Sequence, residues 1–137
     1  WHGGCCLTSG MLEAIYARES YVALKKTLDA AVLRHQAISS NLANLETPNY
    51  KRIDVNADFD ARLEKALSSG DVSKLARLRP RIEVDSTAVP DALNGNTVKM
   101  EEELLHLQRN TLTHTFAIQV LGRSLNKIKS AITGRVQ

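Results

Sequence analysis

Residues 40–50 read Ser-Asn-Leu-Ala-Asn-Leu-Glu-Thr-Pro-Asn-Tyr, and they end a long segment with a regular apolar stripe. Pro48 has no backbone N–H donor and disfavours helical geometry in the residue before it, so a helix has to stop here. Asn41 and Asn44 are three residues apart and share one face of the last helical turns. Because amides both donate and accept hydrogen bonds, these two can join backbone groups of the next turn or of a neighbouring chain.

The segment before this stop carries a seven-residue repeat with alternating steps of three and four, from Tyr21 to Leu45. Seven of the eight positions on this stripe are apolar, and the remaining one is His35. About three and a half heptads of this kind favour a helix that packs along a partner helix. The seam positions that we predict on it are Leu24, Leu28, Ile38 and Leu42.

A second striped segment closes the chain and follows the lead-in Leu93-Asn94-Gly95-Asn96-Thr97-Val98. Asn96 or Thr97 can cap its start, and the acidic run 101–103 suits the positive end of a helix dipole. A helix from Thr97 to Thr133 would be about 55 Å long, too long to bury in a small globule, so it needs a partner. The seam positions that we predict on it are Leu104, Leu107, Ile118, Leu121, Leu125 and Ile128.

The composition agrees with helix packing. Hydrophobic residues make up 43% of the 137 residues and aromatic residues only 4%, which is typical of helix pairs rather than of sandwiches or barrels. We predict a mostly α fold in which long N- and C-terminal helices form a coiled-coil pair around a partly disordered polar middle with short helix and strand pieces. Within this single domain we expect an unstructured leader or mis-assigned start over 1–10, helices over 11–47 and 97–134, and an irregular middle over 48–96.

The sequence contains no pattern that is typical of an active site. The four histidines form no pair at helical ligand spacing, and no nucleophile elbow or phosphate-binding loop is present. His35 and His114 lie on the two stripes, where a polar residue more often sets the register of pairing than binds a metal. The adjacent Cys5 and Cys6 do not define a disulfide framework. We therefore predict no enzyme activity, no cofactor and no metal site.

The stretch 41–50 resembles the N-terminal signature of bacterial flagellar axial proteins, the family of rod, hook and filament-junction subunits. Asn49 stands where that family usually has glycine, and asparagine tolerates a left-handed backbone better than other non-glycine residues. The lead-in 94–98 resembles that of one of the two proximal-rod subunits, and its sister subunit ranks second. The positions that carry this assembly motif are Asn41, Leu42, Ala43, Asn44, Thr47, Pro48, Tyr50, Gly95, Asn96, Thr97 and Val98.

The resemblance implies a structural subunit of the flagellar basal-body rod, which carries torque through the periplasmic space. Such subunits leave the cytoplasm through the flagellar type III export apparatus without a cleaved signal peptide. Their partners are other rod subunits, the rod adaptor FliE, the MS ring and the export gate, together with copies of themselves. Neither nucleic acid nor a small-molecule substrate is implied. Four apolar residues lie off the predicted seams and are candidates for contacts between subunits: Leu33, Leu105, Leu112 and Phe116.

Two readings compete with this one. A homo-oligomeric coiled-coil adaptor unrelated to flagella would explain both stripes but leaves the two motifs unexplained. A helical nucleic-acid-binding module could use Arg77, Arg79 and Arg81, although acids are mixed among these residues and no aromatic residues are interleaved with them. The net charge of +3 does not favour this second reading.

Overall fold

A computed structural model describes residues 6–90 and 94–133, with the side chains of residues 6–18, 128, 131 and 132 outside that description. Two long helices enclose four short elements in the chain. The elements are α1 (Cys6–Ala43), β1 (Ile53–Val55), α2 (Asp58–Ser68), α3 (Val72–Arg77), β2 (Ile82–Val84) and α4 (Met100–Thr133). The predicted fold class is confirmed: the chain is mostly α, with long terminal helices and short helices and strands between them.

The two long helices lie side by side and run in opposite directions. Asn41, near the end of α1, donates a hydrogen bond to Glu103, near the start of α4. Asn110, two turns further along α4, donates to the carbonyl oxygen of Ala31, which lies earlier in α1. Contacts further along α4 therefore fall earlier along α1, so the two helices form an antiparallel hairpin.

The buried row on α4 lies one residue away from part of the predicted seam. Glu103, Asn110 and Ala117 are seven residues apart and at most 5% exposed. The predicted seam residues Leu104, Ile118 and Leu125 are instead 42%, 48% and 49% exposed. These three assignments are wrong, because small and hydrogen-bonding side chains, not the largest apolar ones, hold α4 close to α1.

Several other predicted seam positions are at least partly buried. Leu107 and Leu121 of α4 are half-buried, and so are Leu24, Leu28 and Leu42 of α1, while Ile38 is 1% exposed. The side chain of Ile128 lies outside the described residues.

A second face of α1 is covered by the middle of the chain. Two small apolar clusters form there, one around Leu75 and one around Phe59, which are 0% and 1% exposed. Burying one such side chain stabilises a fold by about 1.5–3 kcal/mol. The middle is therefore packed, although its polar sequence predicts partial disorder, because alanines of α1 supply part of each cluster. Leu33 packs against the Phe59 cluster and is half-buried within its own chain, and its role between subunits stays a prediction.

The middle contains short helix and strand pieces, as predicted. Gly70 has a left-handed φ of 64° directly after α2. The side chain of Asp71 accepts hydrogen bonds from the backbone N–H groups of Ser73 and Lys74, at 3.0 and 3.1 Å, and so caps α3. β1 and β2 pair antiparallel, with Asp54 opposite Glu83 at the centre.

The ends of the long helices differ from the prediction. Residues 6–10 belong to α1 rather than to an unstructured leader, because a helix once started gains one hydrogen bond for each residue added. α1 stops at Ala43 instead of at residue 47, and α4 begins at Met100 instead of at residue 97. The residues at these two ends bind each other, so they do not continue either helix. Residues 1–5 and 134 lie outside the described residues.

Candidate assembly site at the helix junction

The two sequence motifs meet at one side chain, that of Asn96. Its Nδ2 donates to the carbonyl oxygens of Asn44, Leu45 and Thr47 at 2.9, 2.8 and 3.0 Å. Carbonyl groups at the end of a helix have no partner within the helix. Asn96 Oδ1 accepts from the N–H of Val98 at 2.8 Å. Asn96 is only 3% exposed and thus closes the end of α1 from about fifty residues further along the chain.

Asn41 joins α1 to both β1 and α4. Its Nδ2 donates to the carbonyl oxygen of Ile53 at 2.8 Å, and its Oδ1 accepts from the N–H of the same residue at 3.0 Å. Nδ2 also donates to Glu103 Oε2 at 3.2 Å. The hydroxyl of Tyr50 lies 3.4 Å from Asn41 Oδ1 and 3.1 Å from Ser40 Oγ. Asn41 is fully buried. Its amide makes the pair of hydrogen bonds with the backbone of Ile53 that a neighbouring strand would otherwise make.

Arg52 is held by three carboxylates. Its Nε donates to Glu103 at 2.6 Å, its Nη1 to Asp85 at 2.7 Å and its Nη2 to Asp54 at 2.9 Å. The side chains of Arg52 and Glu103 are 7% and 0% exposed. Burial opposes the charge of Arg52, but the hydrogen bonds to Glu103 and Asp54 outweigh it and raise the pKa of Arg52. The backbone N–H of Arg52 donates to Thr97 Oγ1 at 2.7 Å.

These side chains form one connected cluster, which we call the junction network. It links α1, β1, α4 and the loops before α4 and after β2. Its members are Asn41, Arg52, Asp54, Asp85, Thr97 and Glu103, and Asn96 lies beside it in the chain.

The junction network makes stability depend on pH through Asp85. Hydrogen bonds from Thr87 and the charge of Arg52 lower the pKa of Asp85 below its ordinary value of 3.8. A carboxylate with a lowered pKa stabilises the fold above the pKa of the unfolded chain, and this contribution is lost as the pH falls through the folded pKa. We expect the free energy of unfolding to decrease as the pH falls from about 5 to below 3.8, as measured by urea denaturation. In Asp85→Asn the decrease should be smaller; an equally large decrease would show that Asp85 is not responsible.

A tight turn beside the network needs two left-handed residues. Asn49 has a φ of 58°, the left-handed conformation that a glycine position implies. Its N–H donates to the carbonyl oxygen of Asn94 at 3.0 Å. Gly95 has a φ of 68°, and a Cβ atom on it would lie 2.5 Å from Asn49 Oδ1. Only glycine fits at residue 95 without displacing Asn49.

Replacing Gly95 with alanine should destabilise the fold by about 1–3 kcal/mol, because the left-handed backbone is strained for alanine and its methyl group meets Asn49. The matched control is Gly122→Ala in α4, where an added Cβ has no atom within 4 Å. That change should stabilise the fold by about 0.5–1 kcal/mol. Chemical denaturation of both variants measures the difference, and equal effects would contradict this account of the turn.

The predicted assembly motif is largely occupied within its own chain. Asn41, Asn96, Thr97 and Val98 are buried. Half-buried positions are Leu42, Asn44, Tyr50 and Gly95, while Ala43, Thr47 and Pro48 are exposed. The structure thus brings both motifs together where the end of α1 meets the segment before α4. Sequence reasoning missed Arg52, Asp54 and Asp85 and gave Glu103 a role only in the helix dipole, because no local pattern reveals a contact across 51 residues.

An apolar surface remains uncovered on the outside of α4. Leu105, Leu112 and Phe116 are 46%, 73% and 65% exposed. Their spacing of seven and four residues puts them on one side of the helix, about opposite the buried row. We call these three residues the α4 outer stripe. Large side chains exposed together in this way mark a site of protein–protein contact.

The structure adds little that favours other chemistry. Within the described residues, no group of three or more metal-binding side chains comes together, and no helix is long and apolar enough to cross a membrane. His35 is exposed and His114 is half-buried, and both line a shallow groove over Asn110. No hydrogen bond joins the two imidazoles, so they share only this groove.

Three known proteins that are similar to this chain carry the same name. No protein-family model matches the chain. Flagellar basal body rod protein FlgB of Cereibacter sphaeroides is 32% identical over 109 residues, which cover 74% of this chain and 84% of that protein. The protein of the same name from Salmonella typhimurium is 27% identical over 80% of this chain and 90% of its own length. The one from Aquifex aeolicus is 28% identical over 82% and 92%. The chain therefore belongs to the family of the flagellar basal body rod protein FlgB.

Proposed function

We propose that the chain is a structural subunit of the proximal rod of the bacterial flagellar basal body, where it assembles through α1 and α4 and transmits torque. The observation that carries this proposal is the exposed α4 outer stripe on a helical hairpin that is closed at one end by a buried network. The role is mechanical, and no catalytic step is proposed for it.

The hairpin is suited to carry mechanical load within an assembly. Charge-assisted hydrogen bonds from Arg52 to Glu103 and from Asn41 to Glu103 hold the two helices together at their junction. Away from the junction, the helices keep apolar surface exposed, at Val32 and Leu112 for example. Neighbouring subunits would cover this surface, so that assembly adds stability that the single chain lacks.

The partners follow from this position. We propose contacts with other rod subunits, with the rod adaptor FliE, and with the MS ring and export gate at the membrane end. Export would use the flagellar type III apparatus without a cleaved signal peptide. The rod subunits would then lie in the periplasmic space.

Deletion of the gene tests the proposal. Cells without it should lose the rod and stop swimming while keeping the MS ring, as seen in isolated basal bodies by electron microscopy. A plasmid copy should restore both rod and motility. Normal flagella in the deletion strain would overturn the proposal and favour a coiled-coil adaptor unrelated to flagella.

A further inference from the structure

The outer edge of β2 is open. Asp85 donates its N–H to the carbonyl oxygen of Arg52, and Asn56 donates to that of Arg81, both at 2.9 Å. In an antiparallel ladder the residues of a strand point their backbone groups alternately to one neighbour and to the other. Residues 81, 83 and 85 therefore face β1, and Ile82 and Val84 face away from it. Across residues 6–90 and 94–133, nothing is bonded to the backbone groups of these two.

This edge carries only part of the protection that strand edges usually have: β2 is short, Pro80 precedes it and Glu83 is charged, but the residues whose backbone faces outward are apolar. Ile82 and Val84 are 37% and 59% exposed, and both side chains are apolar. Edge strands that stay single are commonly guarded by lysine, proline or a bulge. β2 is short, but the residues on its outer edge have the composition of a strand that receives another strand.

The two ends of β2 carry opposite charge. Before it, Arg77, Arg79 and Arg81 line a cavity of about 500 Å³ together with Arg62, with Asp58 as the anion beside Arg62. After it, a second cavity is lined by Asp54, Asp60 and Asp85, with Arg34 as the cation beside them. Glu83 lies between the two cavities and lines both. A strand that pairs here is therefore selected by charge as well as by backbone hydrogen bonds.

A second copy of β2 that runs in the opposite direction has the charges that this edge selects. Arg81-Ile82-Glu83-Val84-Asp85 has a cation at its start and an anion at its end. In an antiparallel pair centred on Glu83, each Arg81 lies directly opposite an Asp85. Positions opposite each other without a shared hydrogen bond bring side chains closest, so this charge pair forms twice.

We propose that β2 of one chain pairs antiparallel with β2 of a second copy of this chain, with Arg81 facing Asp85 on each side of a two-fold axis. Ile82 and Val84 exchange backbone hydrogen bonds across the axis, and the cationic cavity of each chain lies against the anionic cavity of the other. The proposal stands independently of the rod function.

One feature of this pair is repulsive. Glu83 faces its own copy across the axis, and like charges directly opposite each other weaken a strand pair. The dimer is therefore weak and reversible. A two-fold contact closes after two chains and does not extend into a rod. Only the place of this pair before assembly rests on the proposed rod function: the pair must open when the chain joins a polar structure.

The full chain is tested by sedimentation from about 1 µM to about 1 mM, the range in which weak contacts saturate. We expect a reversible dimer whose dissociation constant rises about tenfold in Arg81→Glu, since two attractions become repulsions. Val84→Lys should also weaken it, whereas Val89→Lys, at a 69% exposed position outside the strand, should not. Glu83→Gln should tighten it. Asp85 is left intact because it holds Arg52.

Hydrogen exchange gives a second readout that depends on the interface itself. The amides of Ile82 and Val84 should become protected as the concentration rises, and the protection should be absent in Val84→Lys. A chain that stays monomeric up to about 1 mM overturns the proposal. So does a dimer that is unaffected by Val84→Lys but lost in Phe116→Asp, since such a dimer forms through α4.

Discussion

Replacing Arg52 with methionine should lower the free energy of unfolding by about 3–5 kcal/mol, because it leaves the carboxylate of Glu103 buried without its cation. Glu103 is fully buried, and its Oε1 accepts from Arg52 at 2.6 Å. Methionine fills a similar space, so little of the loss comes from packing. Asp54 and Asp85 lose the same partner but keep some access to water, at 24% and 20% side-chain exposure.

Denaturation by guanidinium measures this effect, and two further variants make it specific. Arg62→Met removes an exposed ion pair with Asp58 at 3.8 Å and should cost less than about 0.5 kcal/mol. The double variant Arg52→Met with Glu103→Gln should recover part of the loss, since a neutral amide costs less to bury than an unpaired charge. If Arg52→Met were no worse than Arg62→Met, the junction network would not stabilise the hairpin.

Replacing Phe116 with aspartate should abolish rod assembly and swimming while leaving the isolated chain folded. Phe116 is 65% exposed, so its loss changes the stability of the single chain by little. In an assembled rod the same position would bury a charge in an apolar contact, and an unpaired charge is costly to bury. Leu112→Asp, at 73% exposure, should have the same effect.

The measurement is complementation of the deletion strain, scored by swimming and by rods in isolated basal bodies. Secretion of the variant into the medium shows that export is intact. The control is Thr115→Asp, which introduces the same charge and helix propensity at an exposed neighbouring position on another side of α4. Normal swimming of Phe116→Asp would remove the α4 outer stripe from the assembly surface.

Sequence reasoning predicted the two long helices because heptad spacing is a local property that the chain displays over many turns. It predicted short helix and strand pieces in the middle, and residues such as Gly70 and Pro80 end such pieces through their own backbone geometry. It also predicted the left-handed backbone at Asn49, since a family position for glycine specifies a conformation rather than a side chain.

The junction network could not be predicted in this way. Glu103 has the same local sequence pattern as Glu101 and Glu102, and only the arrival of Arg52 from 51 residues away makes it a buried ion pair. Part of the predicted seam of α4 was wrong for a related reason. Leu104 is the more apolar choice at that turn, but Glu103 and Asn110 have partners on the other side of the hairpin that hydrophobicity does not report.

The segment between the two long helices begins and ends at almost the same place. Thr97 donates its N–H to the carbonyl oxygen of Tyr50 at 3.1 Å, and Asn49 donates to that of Asn94 at 3.0 Å. Insertions are best tolerated where the two ends of a segment lie close together. The hairpin can therefore serve as a mount for an exchangeable module, provided that the module keeps Arg52, Asp54 and Asp85 in the junction network.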